Sequence, residues 1–184
     1  MSIVVAMMFP DAGVVIYGDK RAVRRFGVNT VITDDYLKIH NITPTIICGI
    51  TGHGEWGLLL ISKIKESGIT DAKKIIEFVK KFIESVPPDF HSTFTLGGIY
   101  SDRRSFLATF RTLGGTTFAQ DNISYTIATN PEELGDICEN YLIKRFTETN
   151  NAHQTLQEVV KFASMQNPET ISSEFDVLTV PFKL

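Results

Sequence analysis

Ser2 stands directly behind Met1. Initiator methionine is commonly removed when a small residue follows it, and removal leaves Ser2 carrying both a hydroxyl nucleophile and a free α-amine. Such an amine titrates at roughly 7.7 to 8.0 in model peptides, so it accepts a proton near neutral pH without help from a histidine. Ser2 is either that reacting pair or simply the first residue of a β-strand. A second stretch, Gly52-His53-Gly54-Glu55-Trp56-Gly57, has the G-x-G-x-x-G form of a nucleotide-binding loop. Its context argues against nucleotide. A second helix follows where a parallel strand is needed, and no acidic residue ends such a strand about 20 residues on. His40, His53, His91 and His153 fall on separate elements without paired ligand spacing, so neither a metal nor a cofactor is expected. Cys48 and Cys138 have no CxxC or CxxH spacing and read as buried thiols.

The stretch that must position Ser2 is Ser2 to Asp19, SIVVAMMFPDAGVVIYGD. Ile3 to Phe9 is apolar and rich in β-branched residues, Pro10-Asp11-Ala12-Gly13 is turn chemistry, and Val14 to Tyr17 is a second apolar run, so a β-hairpin is expected. Strands with so few polar side chains are covered on both faces, which puts the hairpin in the middle of a sheet within a layered domain. A chain start buried there is unusual, since termini normally fray at the surface.

After Asp19, the basic run Lys20-Arg21-Ala22-Val23-Arg24-Arg25 leads to Gly27 and a polar stretch ending at Asp35, and reads as a solvated loop. Leu37 to Ile42 and Thr45 to Ile50 form a second hairpin. A helix follows from Trp56 to Gly68, with Leu58, Leu59, Leu60, Ile61 and Ile64 as its buried residues. The next is capped by Thr70 or Asp71 and stopped by Pro87-Pro88. Strands return at Ser92 to Tyr100, Ser105 to Phe110, Thr116 to Phe118 and Ile123 to Ala128. Pro131-Glu132-Glu133 opens a third helix, Gln154 to Met165 is a fourth, and Phe175 to Val180 is a closing strand. Runs of strands separated by paired helices favour an α+β fold of two mostly antiparallel sheets with helices outside them.

Apolar residues make up 43% and charged residues 21% of the 184, as in ordinary globular proteins, and a net charge of −3 argues against nucleic acid as a partner. No apolar run approaches the roughly 20 residues of a membrane span, and no basic segment precedes an apolar one at the N-terminus, so no membrane partner and a cytoplasmic location are expected. One domain over residues 1–184 accommodates this length.

Three stretches carry a family likeness. GVVIYGDKRA, from Gly13 to Ala22, is a glycine-led strand ending in an aspartate with an arginine two residues later. Tyr36-Leu37-Lys38-Ile39-His40-Asn41-Ile42 is a strand containing a lysine, and Cys48-Gly49-Ile50-Thr51-Gly52-His53-Gly54 is a small-residue turn ahead of a helix. In these, and in the order of elements over nearly the whole chain, the sequence resembles the proteasome β-type subunits among the N-terminal-nucleophile hydrolases. The resemblance implies a four-layer αββα sandwich and hydrolysis of peptide bonds. It places Ser2 where the family has an N-terminal threonine, with Asp19 as its aspartate, Lys38 as its catalytic lysine and Gly52 as the glycine of the oxyanion hole. Elementary physics agrees with those roles. A lysine close to an N-terminal amine lowers the amine pKa, an aspartate holds that lysine charged and oriented, and a glycine N–H meets a tetrahedral intermediate unobstructed.

By the same resemblance, Arg21 supports the site, and Thr129, Glu169 and Ser172 substitute for the residues that brace the nucleophile. Ala22, Tyr36, Ile50 and Gly54 line the specificity pocket, an apolar set that implies uncharged substrate side chains. A peptide or unfolded-protein substrate, a homo-oligomeric ring and an ATP-dependent unfoldase partner are also implied, without a cofactor. The alternative is a catalytically inactive relative with a structural or ring-forming role.

Overall fold

Alternation along the first hairpin sets the layers. In β1 (Ser2–Phe9), Ile3, Val5 and Met7 face one side while Val4, Ala6 and Met8 face the other, and all six are buried. In β2 (Gly13–Asp19), Val15 and Tyr17 divide from Val14 and Ile16 in the same way. One set packs against helices and the other against a second sheet, which is why the run contains almost no polar side chain. The structure, a computed structural model, describes residues 2–26, 29–87, 89–130 and 133–181. Met1, Gly27, Pro88 and the expected Pro131-Glu132 helix opening lie outside the described residues.

The first sheet runs β10-β1-β2-β11, with β10 (Ser124–Asn130) and β11 (Phe175–Pro181) flanking the hairpin, and every pairing is antiparallel. Helices α3 (Glu133–Thr149) and α4 (Ala152–Gln166) cover its outer face through Leu134, Cys138, Leu142, Leu156, Val159 and Val160. The second sheet follows chain order: β5 (Ile39–Thr43), β6 (Ile46–Gly52), β7 (Ser92–Ile99), β8 (Ser105–Arg111) and β9 (Gly115–Gln120), again antiparallel throughout. Its outer face is covered by α1 (Gly54–Ser67) and α2 (Ala72–Glu84). The result is the expected four-layer αββα sandwich. Between the sheets, Val4, Ala6, Met8, Val14 and Ile16 meet Ile39, Ile47 and Leu107. A Cβ at Gly49 would come within 2.5 Å of Val4 Cγ1, so a glycine lets the sheets approach there.

Helix ends follow local chemistry. Asp71 caps α2 by accepting the Lys74 N–H at 3.0 Å, and Gly68 ends α1 in the left-handed region at φ 66°. Both cysteines are buried and free, and burial pushes their thiols up to about 12 for Cys48 and about 11 for Cys138. No helix among the described residues is long and apolar enough to cross a membrane.

Two expectations need correction. The stretch after Lys20 is a hairpin, β3 (Ala22–Phe26) paired with β4 (Asn29–Thr33), standing apart from both sheets. Of its described side chains, Val23, Val31 and Ile32 belong to neither apolar layer, so the stretch carries no sustained alternation to reveal it. Leu58 and Leu59 are 44% and 41% exposed, and the buried stripe of α1 is Gly57, Leu60, Ile61 and Ile64.

Candidate active site

Asp19 closes β2 and is fully buried. The β1–β2 ladder ends at Val4–Gly18, and the Ile3 N–H just beyond it is accepted by Asp19 Oδ1 at 2.8 Å. Oδ2 accepts the Arg21 N–H at 3.0 Å and the Ser172 N–H at 3.2 Å. Three backbone donors thus fix a carboxylate that burial would otherwise make costly.

Lys38 sits immediately before β5, where its carbonyl accepts the Ile50 N–H at 2.8 Å. Its Nζ donates to Asp19 Oδ1 at 2.5 Å, and the two side chains are 4% and 0% exposed. Burial pulls the Lys38 ammonium below the ordinary lysine value, and the charge and hydrogen bond of Asp19 pull it back up. Because the Ile3 N–H and the Lys38 ammonium share one oxygen, Lys38 Nζ is tied to the residue directly after Ser2.

Ser2, the first residue of β1, is buried and pairs across the ladder with Asn130. Its Oγ accepts the Gly52 N–H at 3.4 Å, a long contact. Gly52 takes φ +87°, and a Cβ there would lie 2.1 Å from the His91 carbonyl oxygen. The turn is pinned from behind, with the His53 N–H shared between His91 O and Ser92 Oγ, both at 3.2 Å. A hydroxyl, a backbone N–H aimed at it and a buried ammonium are therefore assembled at one end of the sandwich, the set that nucleophilic attack on a carbonyl needs.

A cavity of about 410 Å³ opens beside Ser2, and Ala22, Tyr36, Ile50 and Gly54 all line it. Its wall is not wholly apolar as expected, because Arg21, Arg24 and Glu55 line it too. Burial raises the Tyr36 hydroxyl pKa, Arg24 opposes this and Glu55 adds to it, so both charges are felt at the phenol. Ala22 and Arg24 lie two apart on β3, so alternation would have found Arg24 had the stretch been read as a strand.

The supporting residues divide. Arg21 Nε and Nη2 pair with Asp34 at 2.5 and 2.7 Å, and Nη1 donates to the Pro168 carbonyl. Ser172 braces Asp19 through its backbone N–H, while its hydroxyl accepts from the Glu174 N–H at 3.1 Å. Thr129, buried in β10 opposite Ile3, lines a narrow space that also touches Gly52. Glu169 is exposed and makes none of the described hydrogen bonds or ion pairs, whereas the Ser172 and Arg21 N–H groups hold Asp19. Backbone donors of this kind leave no side-chain signature in a sequence.

The nucleotide-loop reading fails on contacts. A Cβ at Gly54 would meet the Tyr36 hydroxyl at 2.1 Å, and one at Gly57 would meet Ile50 at 2.4 Å, so side chains occupy the space a phosphate needs. The strands on either side of this segment, β6 and β7, are antiparallel.

No protein-family model and no curated protein matches the sequence. Among solved structures, the chain is similar to eukaryotic HslV from Trypanosoma brucei, at 10% identity and TM-score 0.70, covering 97% of this chain and 99% of that one. It is similar to Anbu from Hyphomicrobium sp. strain MC1, at 14% identity and TM-score 0.73, over 98% of this chain and 84% of that one. Anbu from Yersinia bercovieri, described as an ancestral β-subunit, aligns at 15% identity and TM-score 0.70, over 97% and 81%. At these identities the likeness is one of fold, the proteasome-like fold of the N-terminal-nucleophile hydrolases.

Proposed function

We propose that this chain is a proteasome-like peptidase subunit whose nucleophile is Ser2, made N-terminal by loss of Met1. The observation that carries this reading is the Gly52 N–H directed at Ser2 Oγ, next to a dry Lys38–Asp19 pair. The freed α-amine takes the Ser2 hydroxyl proton, directly or through water, as the oxygen bonds to the peptide carbonyl carbon. The carbonyl oxygen becomes an oxyanion and accepts the Gly52 N–H. Collapse breaks the C–N bond, and the amine leaving group departs with the proton held by the α-ammonium. Water then attacks the Ser2 ester carbon and gives a proton to the α-amine; as the C–Oγ bond breaks, the α-ammonium returns that proton to Ser2 Oγ, which releases the acid and the free enzyme. The nearby Lys38 ammonium disfavours a second positive charge and so keeps the α-amine neutral and basic, while Asp19 opposes loss of the lysine proton.

Peptides or unfolded segments are the substrates, with one side chain entering the Tyr36 cavity. A homo-oligomeric ring in the cytoplasm, fed by an ATP-dependent unfoldase, belongs to the same reading. The apolar side chains of Val31, Ile32, Leu58 and Leu59, each at least 41% exposed, suit burial between subunits. Hydrolysis of fluorogenic peptide amides by wild type, with Ser2→Thr retaining turnover and Ser2→Ala abolishing it, is the expected result. Absence of turnover by wild type, or turnover that persists in Ser2→Ala and so does not arise at Ser2, would transfer the fold to the alternative reading, a catalytically inactive ring-forming scaffold. That alternative is favoured by one observation: no described hydroxyl other than that of Ser2 bonds to the Gly52–Ser2–Lys38 set.

A further inference from the structure

Gly52 borders two compartments. Gly52 lines both the Tyr36 cavity and, on its other side, a neck of about 50 Å³. The neck shares Thr93, Arg111, Leu113 and Thr129 with a larger cavity of about 530 Å³ near the N-terminal turns of α3. For a peptide held at Ser2 with its acyl-side residue in the Tyr36 cavity, the neck and this larger space are the room on the far side of Gly52 that a leaving segment would use.

Arg111, the last residue of β8, lines both the neck and the larger cavity. Among the described residues lining either, it is the one arginine or lysine. It is half-buried, and its guanidinium makes no hydrogen bond or ion pair to any described residue. Arg21, Arg104 and Arg145 are each paired with carboxylates. Asp136 and Glu139 lie farther along the same wall without pairing to Arg111, and Glu139 accepts the Tyr125 hydroxyl at 2.7 Å. A guanidinium offers a planar fork of donors that matches a carboxylate, and one left open in a cavity next to the reacting centre has its recognition capacity unspent.

On the basis of the peptidase reading, we propose that Arg111 selects substrates carrying a carboxylate just beyond the scissile bond on the leaving side. The carboxylate belongs to an acidic side chain or to the C-terminus of a short leaving segment. Asp136 and Glu139 repel a second anion farther along, so the preference is for a single acidic group and not for an acidic tract.

The test uses the purified chain and internally quenched peptides identical on the acyl side, with Glu or Gln as first or second leaving-side residue. A parallel pair ending shortly after the bond as free acid or amide separates the α-carboxylate from the side chain. A peptidyl aminomethylcoumarin, whose leaving group is uncharged, reports on hydrolysis itself. The expected Glu-to-Gln ratio of kcat/KM in wild type is about tenfold, the range of a hydrogen bond to a charged group. Arg111→Gln brings the ratio to unity and Arg111→Lys keeps part of it. Both substrates see the same enzyme, so partial loss of folded protein leaves the ratio readable. A wild-type ratio near unity for both carboxylate sources, or one that survives Arg111→Gln, overturns the assignment while coumarin release stands. No coumarin release at all brings down the peptidase reading together with it.

Discussion

Two ion pairs flank the Ser2 cavity, Lys38–Asp19 and Arg21–Asp34, and each has a closest approach of 2.5 Å. In the first, both side chains are nearly dry; in the second they are 20% and 47% exposed. Lys38–Asp19 shares its carboxylate with three backbone N–H groups from three parts of the chain, near Ile3, Arg21 and Ser172. Arg21–Asp34 ties the base of the β3–β4 hairpin to the Pro168 turn in contact with water. Equal distance therefore hides unequal consequence: water screens the outer pair, whereas the inner pair has only the protein to satisfy it.

Breaking the inner pair should have the largest effect. Asp19→Asn replaces an acceptor for four donors by an amide and strands a buried ammonium, so we expect a loss of about 3–5 kcal/mol in urea unfolding and no measurable turnover. The double variant Asp19→Asn/Lys38→Met should regain part of that stability and none of the activity. Recovery of both would mean that the pair is structural. Gly52→Ala comes next, because the left-handed backbone disfavours a side chain by about 1–3 kcal/mol and the His91 carbonyl blocks its Cβ. Its turnover should fall roughly 100- to 1000-fold, as when an oxyanion donor is displaced. A Gly52→Ala enzyme with wild-type kcat would remove Gly52 from the chemistry.

A smaller effect sharpens the contrast through pH. Lys38 lies below its ordinary 10.5 in the fold, so on raising pH the folded state sheds this proton before the unfolded chain does. Between the two values the unfolded state binds more protons, and stability rises with pH. The difference in unfolding free energy between wild type and Lys38→Met should therefore move in favour of wild type as pH climbs toward 10.5. Urea melts showing the difference flat or moving the other way would mean that burial does not dominate at Lys38. Smallest of all is Asp34→Asn in the outer pair, which should leave the urea midpoint and turnover within experimental scatter of wild type.

Legibility in the sequence follows the same division between inside and outside. The central hairpin could be read because both of its faces are covered, so Ile3 to Met8 is apolar without interruption. Asp19, Lys38 and Gly52 were legible through the resemblance of their strands and turn to those of the proteasome β-type subunits, and the fold brings Gly52 against Ser2 and the Lys38–Asp19 pair against Ile3 beside it. The β3–β4 hairpin escaped, and with it Arg24 on the cavity wall, because a hairpin outside both layers has no core face to impose a pattern. The Ser172 N–H escaped for a different reason, since any residue supplies one. Arg111 resembles any strand-end arginine until the strands β8 and β10 and the helix α3 enclose it.

The most direct test of the central claim is the mass of the N-terminal peptide of the chain from its own host, before and after treatment with a β-lactone or epoxyketone probe. The prediction is a peptide beginning at Ser2, without Met1, that gains the mass of the probe on Ser2. A peptide that retains Met1, with no adduct at Ser2, would contradict the claim and leave the protein its proteasome-like architecture without the chemistry.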